Sequence, residues 1–360
     1  MKNKKIAIVA EWLTSRGGAE NVVFELAKIF PDADIFSTVF NKDLFPELKD
    51  RNIITSFLQN IPILNKRHQL AFFLLPKAIE SLNLKGYDII ISSSSAFGKG
   101  VKKDKKAFHI CYCHTPIRYI WESERDNRLS RIPFNSIIKR RFKSWDLKTN
   151  KGVDKFLANS QNTARKIKKF YNINAQVVYP PVEIENLKTP VSSSKKNKNY
   201  YFTISRFIPY KKIDIAIRAC DKLNKKLYIA GSGPQDKYLR SIAGDNTVFL
   251  GRIDAGEKVK LYQNAKATIF CADEDFGIVP VESLACGTPV IAYKKGGALE
   301  IINSRTGVFF DKQSPESLAK SIKVFEEKSF DGQYLQQSVK KFDRIHFRNN
   351  ILKIIKNIGS

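Results

Sequence analysis

Glu274 and Glu282 stand with seven residues between them in the stretch EDFGIVPVESLACGTPVIA, which begins at residue 274. The intervening run is largely apolar and carries Gly277 and Pro280. It follows the apolar run ATIFCA, a strand by its composition. Proline suits a first helical position, so a helix is expected to start near Pro280 and end at Gly287, with Glu282 in its first turn. Free N–H groups and the positive end of the helix dipole would then lie between the two acids. An anionic phosphate suits that place, and a carboxylate beside it suits hydroxyls such as those of a sugar. Taken singly, the two acids could equally be a solvated loop acid and a helix-capping acid.

Other stretches carry compatible chemistry. SRFIPYKK puts Arg206 five residues before Lys211 at the end of the strand YYFTI. Open α/β sheets bind ligands at the carboxyl ends of their strands, and there an arginine can grip a diphosphate bidentately while a lysine adds a point charge. AGSGP (230–234) closes another strand with two glycines that allow close backbone approach. RGGAE (16–20) opens the first helix after Gly17 and Gly18, a second anion-ready helix start. It has neither the full G-x-G-x-x-G pattern nor that of a Walker A loop. CYCHTPIRY (111–119) puts His114 at the end of a buried strand, just before a Thr-Pro turn. PDAD supplies Asp32 and Asp34, but this pair precedes a strand instead of ending one, so it reads as a turn and no essential metal is expected.

The elements that must hold these residues follow from apolar runs and punctuation. KIAIVAEWL, YDIIISSSS, AFHICYC, KFLANS and QVVYP read as strands separated by helical patterns. A polar stretch, NLKTPVSSSKKNKN, reads as a linker over 186–199. Beyond it the alternation restarts with YYFTIS, KLYIAGSG, TVFLG, ATIFCA, PVIAY and GVFF. Alternating strands and helices imply doubly wound parallel sheets. A chain of 360 residues is too long for one ordinary core. Two Rossmann-like domains are therefore expected, 1–185 and 200–341, with the amphipathic helix within 342–360 packing back on the first.

Composition narrows the partners. The formal charge of +27 implies attraction to something anionic: nucleic acid, a lipid surface or a phosphorylated substrate. Lysine is scattered along the chain, so compositional bias accounts for part of the excess. Five cysteines without zinc-like or disulfide-like spacing read as free thiols in a reducing compartment. The start MKNKKIAIVAEWL reads as a first strand and not as a signal peptide. No run reaches the ~20 apolar residues a membrane span needs.

Together these motifs resemble the retaining nucleotide-sugar glycosyltransferases of family 4, whose GT-B fold sets two Rossmann-like doubly wound domains facing a central crevice. The two glutamates match that family's E-x7-E pattern. SRFIPYKK, GSGP, FLG and RGGAE fall in its order, and the likeness covers nearly the whole chain. HTPIRYIW, YPPV and SRFIPYKKID look most like the bacterial mannosyltransferases that build O-antigen, capsule or exopolysaccharide. The resemblance implies that Arg206 and Lys211 neutralise the donor diphosphate. It implies that Glu282 binds ribose and that Glu274 contacts the donor sugar. Gly277, Ile278 and Val279 would offer backbone N–H groups, Gly17 and Gly18 would lie near the diphosphate, and His114 would face the transferred sugar. The base would lie near Gly231, Ser232, Gly251, Arg252 and Ile253, residues that do not name it.

The expected reaction moves a hexose, with mannose from GDP-mannose as the best guess, to a lipid-linked glycan; a UDP-sugar donor is the alternative. No cofactor is expected. Nucleotide-sugar 2-epimerases share the fold, and a nucleic-acid binder would explain the charge, although no RNP, KH or helix-turn-helix signature is present. A peripheral place on the inner face of the cytoplasmic membrane is also expected. Residues 60–82 mix an apolar run with Lys66, Arg67 and Lys77, and 139–145 interleave Lys139, Arg140, Arg141 and Lys143 with Phe142 and Trp145. Aromatic rings suit the headgroup level, and the basic side chains suit an anionic leaflet. The alternative is that Phe72, Phe73, Leu74 and Leu75 are core.

Overall fold

A computed structural model describes residues 4–64, 68–122, 135–187 and 198–358. The chain divides into two compact units, Met1–Pro181 with Arg344–Ser360, and Val182–Asp343. The linker expected over 186–199 falls within the second unit, and its residues 188–197 lie outside the described residues.

Unit 1 runs β1 (Ile6–Ala10), α1 (Gly18–Ile29), β2 (Asp34–Ser37), β3 (Ile53–Thr55), α2 (Leu75–Glu80), β4 (Ile89–Ser94), β5 (Phe108–Cys113), α3 (Arg118–Trp121), α4 (Asn135–Thr149), β6 (Lys155–Ala158), α5 (Gln161–Tyr171) and β7 (Gln176–Val177). The last helix of the chain, α13 (Arg344–Ile358), completes it. The strands pair in parallel in the order β3-β2-β1-β4-β5-β6-β7. Unbroken apolar runs such as IAIVA suit a sheet covered on both faces. One face packs Ile8, Ile35, Ile89 and Ile91 against Val22 and Leu26 of α1 and Phe347, Ile351 and Ile355 of α13. The other packs Val9, Phe36 and Ile90 against Ile79, Phe97 and Phe142. Each such side chain contributes roughly 1.5–3 kcal/mol when fully buried. The edge strand β3, IIT, has no counterpart among the expected strands, because three residues give too little alternation to read.

Unit 2 runs β8 (Tyr200–Ile204), α6 (Ile213–Lys222), β9 (Lys226–Ala230), α7 (Asp236–Ser241), β10 (Thr247–Gly251), α8 (Ala255–Asn264), β11 (Thr268–Phe270), α9 (Ile278–Ala285), β12 (Val290–Tyr293), α10 (Ala298–Ile301), β13 (Gly307–Phe310), α11 (Pro315–Glu326) and α12 (Gly332–Ser338). Its parallel sheet has the order β10-β9-β8-β11-β12-β13. Each sheet therefore reverses its winding once, between β1 and β4 in unit 1 and between β8 and β11 in unit 2. Ligand crevices in open α/β sheets form at the carboxyl ends of strands where the order reverses.

A buried ion pair stiffens unit 1. Lys99 is 2% exposed and Asp146 is fully buried, with Lys99 Nζ 2.8 Å from Asp146 Oδ1. The ammonium donates to Thr149 Oγ1, Asn150 Oδ1 and the Asp146 carbonyl. Asp146 Oδ1 is thus held by charge alone, while Oδ2 accepts from Trp121 Nε1 at 2.6 Å and the Tyr171 hydroxyl at 2.8 Å. One carboxylate ties α3, α4 and α5 to the segment after β4.

The segments expected to meet a membrane divide in an unexpected way. Phe142 is buried in the core, and Trp145 packs on Phe97 and donates to Glu80 at 2.6 Å, so neither ring is presented to a headgroup layer. At helical spacing a position that alternates with lysines can still face inward, and Ile138 and Phe142 do so together. Leu75 is buried and Phe72 packs on Phe142, whereas Ile63 is 67%, Leu70 62% and Phe73 55% exposed. Lys66 and Arg67 lie outside the described residues. No helix among the described residues is long and apolar enough to cross a membrane. All five cysteines are buried free thiols.

Candidate active site

The order reversal of unit 2 gathers most of the residues singled out above. The loop after β8 is knitted to the loop after β9. Ser205 N–H donates to Ala230 O at 3.1 Å, Phe207 N–H to Ser232 O at 3.0 Å, and Gln235 N–H to Phe207 O at 3.0 Å. Phe207 is fully buried and anchors the loop. Gly231 has φ +125°, and a Cβ there would lie 1.9 Å from Ser205 O. The close backbone approach that AGSGP permits is, at Gly231, that of the neighbouring loop. With Phe207 locked inward, Arg206 is exposed, and Lys211 ends the 3-10 turn Pro209–Lys211 that precedes α6.

Lys211 Nζ donates to Glu274 Oε1, joining the ends of β8 and β11 across 63 residues of sequence. Both side chains are largely but not fully buried. Glu274 is fixed from behind, since Gly297 N–H donates to its carbonyl at 2.8 Å. A Cβ on Gly296 would fall 2.1 Å from that carbonyl, and one on Gly297 would fall 2.1 Å from Phe276 O. This glycine pair was not among the expected site residues. Its signal was available in KKGG, which directly follows the strand PVIAY.

The helix α9 begins at Ile278, two residues earlier than expected from Pro280. Gly277 is its N-cap with φ +97°, a left-handed turn that needs no side chain and cannot easily hold one. Glu282 consequently sits in the second turn, not the first. Its Oε1 accepts from Lys258 Nζ at 2.7 Å and its Oε2 from the Tyr262 hydroxyl at 3.1 Å. Lys258 and Tyr262 are one turn apart on α8, so one helix face aims both at the carboxylate. Burial, and then the Glu282 charge, pushes the Tyr262 hydroxyl well above its ordinary range, keeping it a donor. Neither residue was expected, because nothing in AGEKVKLYQN marks a ligand.

Helix starts divide into two kinds. Ser160, Asp254, Ser314 and Asp331 cap α5, α8, α11 and α12 with side-chain oxygens. No side chain caps α2, α3, α6, α7 or α10, and none caps α1, which follows Gly17, or α9, which follows Gly277. The first N–H groups of a helix have no acceptor within the helix and suit an anion. Gly18 is the first residue of α1. Gly17 has extended backbone, and a Cβ on it would meet Glu20 Oε2 at 3.0 Å. Gly251 closes β10, where its carbonyl accepts from Gly231 N–H at 2.6 Å, and Arg252 Nε donates to Ser232 Oγ at 3.2 Å. Gly231, Ser232, Gly251 and Arg252 therefore form one cluster, and Ile253 follows it directly.

In unit 1, His114 directly follows β5 and its Nε2 lies 2.8 Å from Ser93 Oγ. Asp34 begins β2 and accepts from the Tyr87 hydroxyl at 2.5 Å and Asn52 Nδ2 at 2.6 Å. The Tyr87 hydrogen bond is the main cause that lowers its pKa. Its oxygens serve the fold. Among the described residues no cluster of three or more His, Cys, Asp or Glu is arranged around a metal position.

Comparison with known proteins identifies the family of each half of the chain. Residues 16–186 match the family model described as Glycosyltransferase Family 4, and residues 185–342 match that described as Glycosyl transferases group 1. The chain is 25% identical over 390 aligned positions to the alpha-1,3/1,6-mannosyltransferase ALG2 of Candida albicans, covering 86% of each. It is 30% identical over 197 positions to a GDP-mannose-dependent phosphatidylinositol monomannoside mannosyltransferase of Corynebacterium glutamicum, covering 46% of this chain and 51% of that protein. An uncharacterized glycosyltransferase of Methanocaldococcus jannaschii is 35% identical over 127 positions, with a third of its length aligned. Among solved structures, Anabaena HepE in complex with UDP superposes with a TM-score of 0.71 at 17% identity, covering 98% of this chain and all of that one.

Proposed function

From a glycosyltransferase of the GT-B fold, which its two matched halves and two parallel sheets make this chain, we propose a retaining hexosyltransferase that moves mannose from GDP-mannose onto a growing, lipid-linked cell-surface glycan. The observation that carries this reading is the meeting of Lys211 and Glu274 at the order reversal of unit 2, beside the uncapped start of α9. The mannosyltransferase relatives favour mannose.

In this reading Arg206 and Lys211 bind the donor diphosphate, with the N–H groups of Gly277, Ile278 and Val279. Lys211 is shared with Glu274 in the resting site. An arriving diphosphate draws it away, and the released carboxylate accepts a hydroxyl of the sugar. Glu282, held by Lys258 and Tyr262, binds the ribose. The base lies by the cluster of Gly231, Ser232, Gly251, Arg252 and Ile253. Gly17, Gly18 and His114 are read as donor contacts, His114 toward the transferred sugar. As the sugar–phosphate bond breaks, negative charge gathers on the departing diphosphate, where fixed cations lower the barrier most. The acceptor hydroxyl attacks from the same face, forms the new glycosidic bond and gives its proton to a departing phosphate oxygen.

Incubation with GDP-mannose or UDP-glucose, with and without a lipid-linked acceptor, tests this. Transfer from GDP-mannose with the donor's anomeric configuration supports it, and transfer from UDP-glucose alone overturns the choice of donor. An isomerised sugar without acceptor would make the protein an epimerase. A place on an anionic membrane is part of the proposal, now resting on exposed Ile63, Leu70, Phe73 and Ile137 with exposed Arg140 and Arg141. Phe73 lies beside Phe142 of α4, which also bears Ile137 and the two arginines. Co-sedimentation with anionic vesicles should fall with salt and with Phe73→Ser, and no binding at low salt would remove the membrane from the reading.

A further inference from the structure

The run Ser92–Ser95 spans the end of β4, a strand beside the order reversal of unit 1, and the residue after it, and its four serines reach three partners. Ser92 Oγ lies 2.7 Å from Nε2 of the buried His109. Ser93 Oγ lies 2.8 Å from Nε2 of His114. Ser94 Oγ and Ser95 N–H both donate to one oxygen of Glu11, at 3.1 and 2.9 Å. Ala96 N–H and Gly98 N–H donate to the same oxygen at 2.6 and 2.7 Å. Four donors, three of them backbone N–H groups, therefore converge on Glu11 Oε1.

Such a turn of converging N–H groups is an anion-binding concavity. Here the chain fills it with its own side chain, which is 6% exposed and follows β1 directly. Glu11 thereby pins the turn after β4 to the end of β1. The segment folds back closely enough that a Cβ on Gly98 would lie 2.9 Å from Ser93 O and 3.0 Å from Glu11 Cγ. His114 is attached to the same turn. Its N–H donates to Ser94 O at 2.8 Å, and its ring meets Tyr112 edge-on at 5.1 Å. A ring held at one nitrogen, at its backbone and at its edge has little freedom to rotate.

We propose that Ser93 and Glu11 are positioning residues for His114: the Ser93 hydroxyl fixes the imidazole, and Glu11 fixes the turn that presents Ser93. The catalytic consequence rests on the reading of His114 as a group facing the transferred sugar; the positioning itself does not. Neither residue touches substrate in this scheme. A misoriented ring would lower turnover and leave donor binding unchanged.

Two measurements test it. The first is nuclear magnetic resonance of protein labelled with 15N at its four histidines, with His114→Ala assigning the signal. Ser93→Ala and Glu11→Gln should each shift the His114 ring resonances and leave those of His109 in place. Glu11→Ala should do the same, and sodium formate, but not sodium chloride at equal ionic strength, should restore the signal by refilling the cradle. Unmoved His114 resonances in Ser93→Ala overturn the proposal, as does equal restoration by chloride. The second is a double-mutant cycle of Ser93→Ala and His114→Ala on nucleoside diphosphate release from GDP-mannose. Ser93→Ala should cost about tenfold in kcat, the equivalent of one hydrogen bond, with the donor KM unchanged, and nothing further in the His114→Ala background. Equal costs in both backgrounds overturn the proposal. A His114→Ala enzyme with normal turnover instead removes the role read for His114, and the resonance experiment still decides the positioning.

Discussion

Replacing Lys211 by alanine removes a cation that is bound to Glu274 in the resting protein. The two side chains are 16% and 21% exposed, so the contact is only partly screened by solvent. A hydrogen bond to a charged group is worth about 1.5–3 kcal/mol. Every ~1.4 kcal/mol is tenfold in rate, so one such contact spans roughly 10- to 150-fold. Lys211 faces charge that grows as the diphosphate leaves, which places the loss at the upper end, about a hundredfold or more in kcat/KM. The fold should tolerate the change, because Glu274 keeps 21% side-chain exposure and can be hydrated once the ammonium is gone. The assay is coupled release of GDP from GDP-mannose, with UDP release from UDP-glucose beside it and thermal unfolding as the control. Glu274→Gln and the double variant separate two causes. A lysine that only restrained Glu274 would cost nothing more once the glutamate is changed, whereas a lysine on the diphosphate adds its own loss. Turnover within about threefold of wild type in a folded Lys211→Ala protein would refute the reasoning.

Glu282→Gln should mainly weaken nucleotide binding, because ribose contacts persist through the reaction, while Glu274→Gln should mainly lower kcat; steady-state kinetics showing the reverse would exchange their roles. Asp146→Ala leaves Lys99 buried without its counter-charge and should destabilise unit 1 by about 3–5 kcal/mol. All three tryptophans, Trp12, Trp121 and Trp145, lie in that unit, so denaturant unfolding followed by tryptophan fluorescence reads it selectively. Burial pushes His109 down from 6.5 to about 4. The unfolded chain then binds the extra proton first as pH falls. The stability this histidine contributes is therefore present above about pH 6.5 and lost toward pH 4, by up to about 1.4 kcal/mol per pH unit. The same fluorescence assay should show that slope in the wild type and a smaller one in His109→Asn.

Local signals in the sequence decided a good deal. Unbroken apolar runs such as IAIVA and VIAY could only be strands covered on both faces, and their alternation with helical patterns required parallel sheets. Glu274, Lys211 and His114 could be singled out because each lies in the segment after the carboxyl end of an apolar run, where a parallel sheet presents ligands. Those signals act within a few residues, and what lay beyond that range was decided by strand order. Placing β11 beside β8 joined Lys211 to Glu274, and placing β4 beside β1 dropped Glu11 into a cradle 83 to 87 residues away. Gly231 showed that something approaches closely, but only the packed loops revealed that Ser205 does. The positive φ of Gly277 moved the start of α9 and turned Glu282 toward Lys258 and Tyr262 on a neighbouring helix. Phe142 reads as a surface residue among lysines, yet it lies inward because that face of α4 covers the sheet. Periodicity specifies which residues can share a face; which face is buried depends on the neighbour that arrives from elsewhere in the chain.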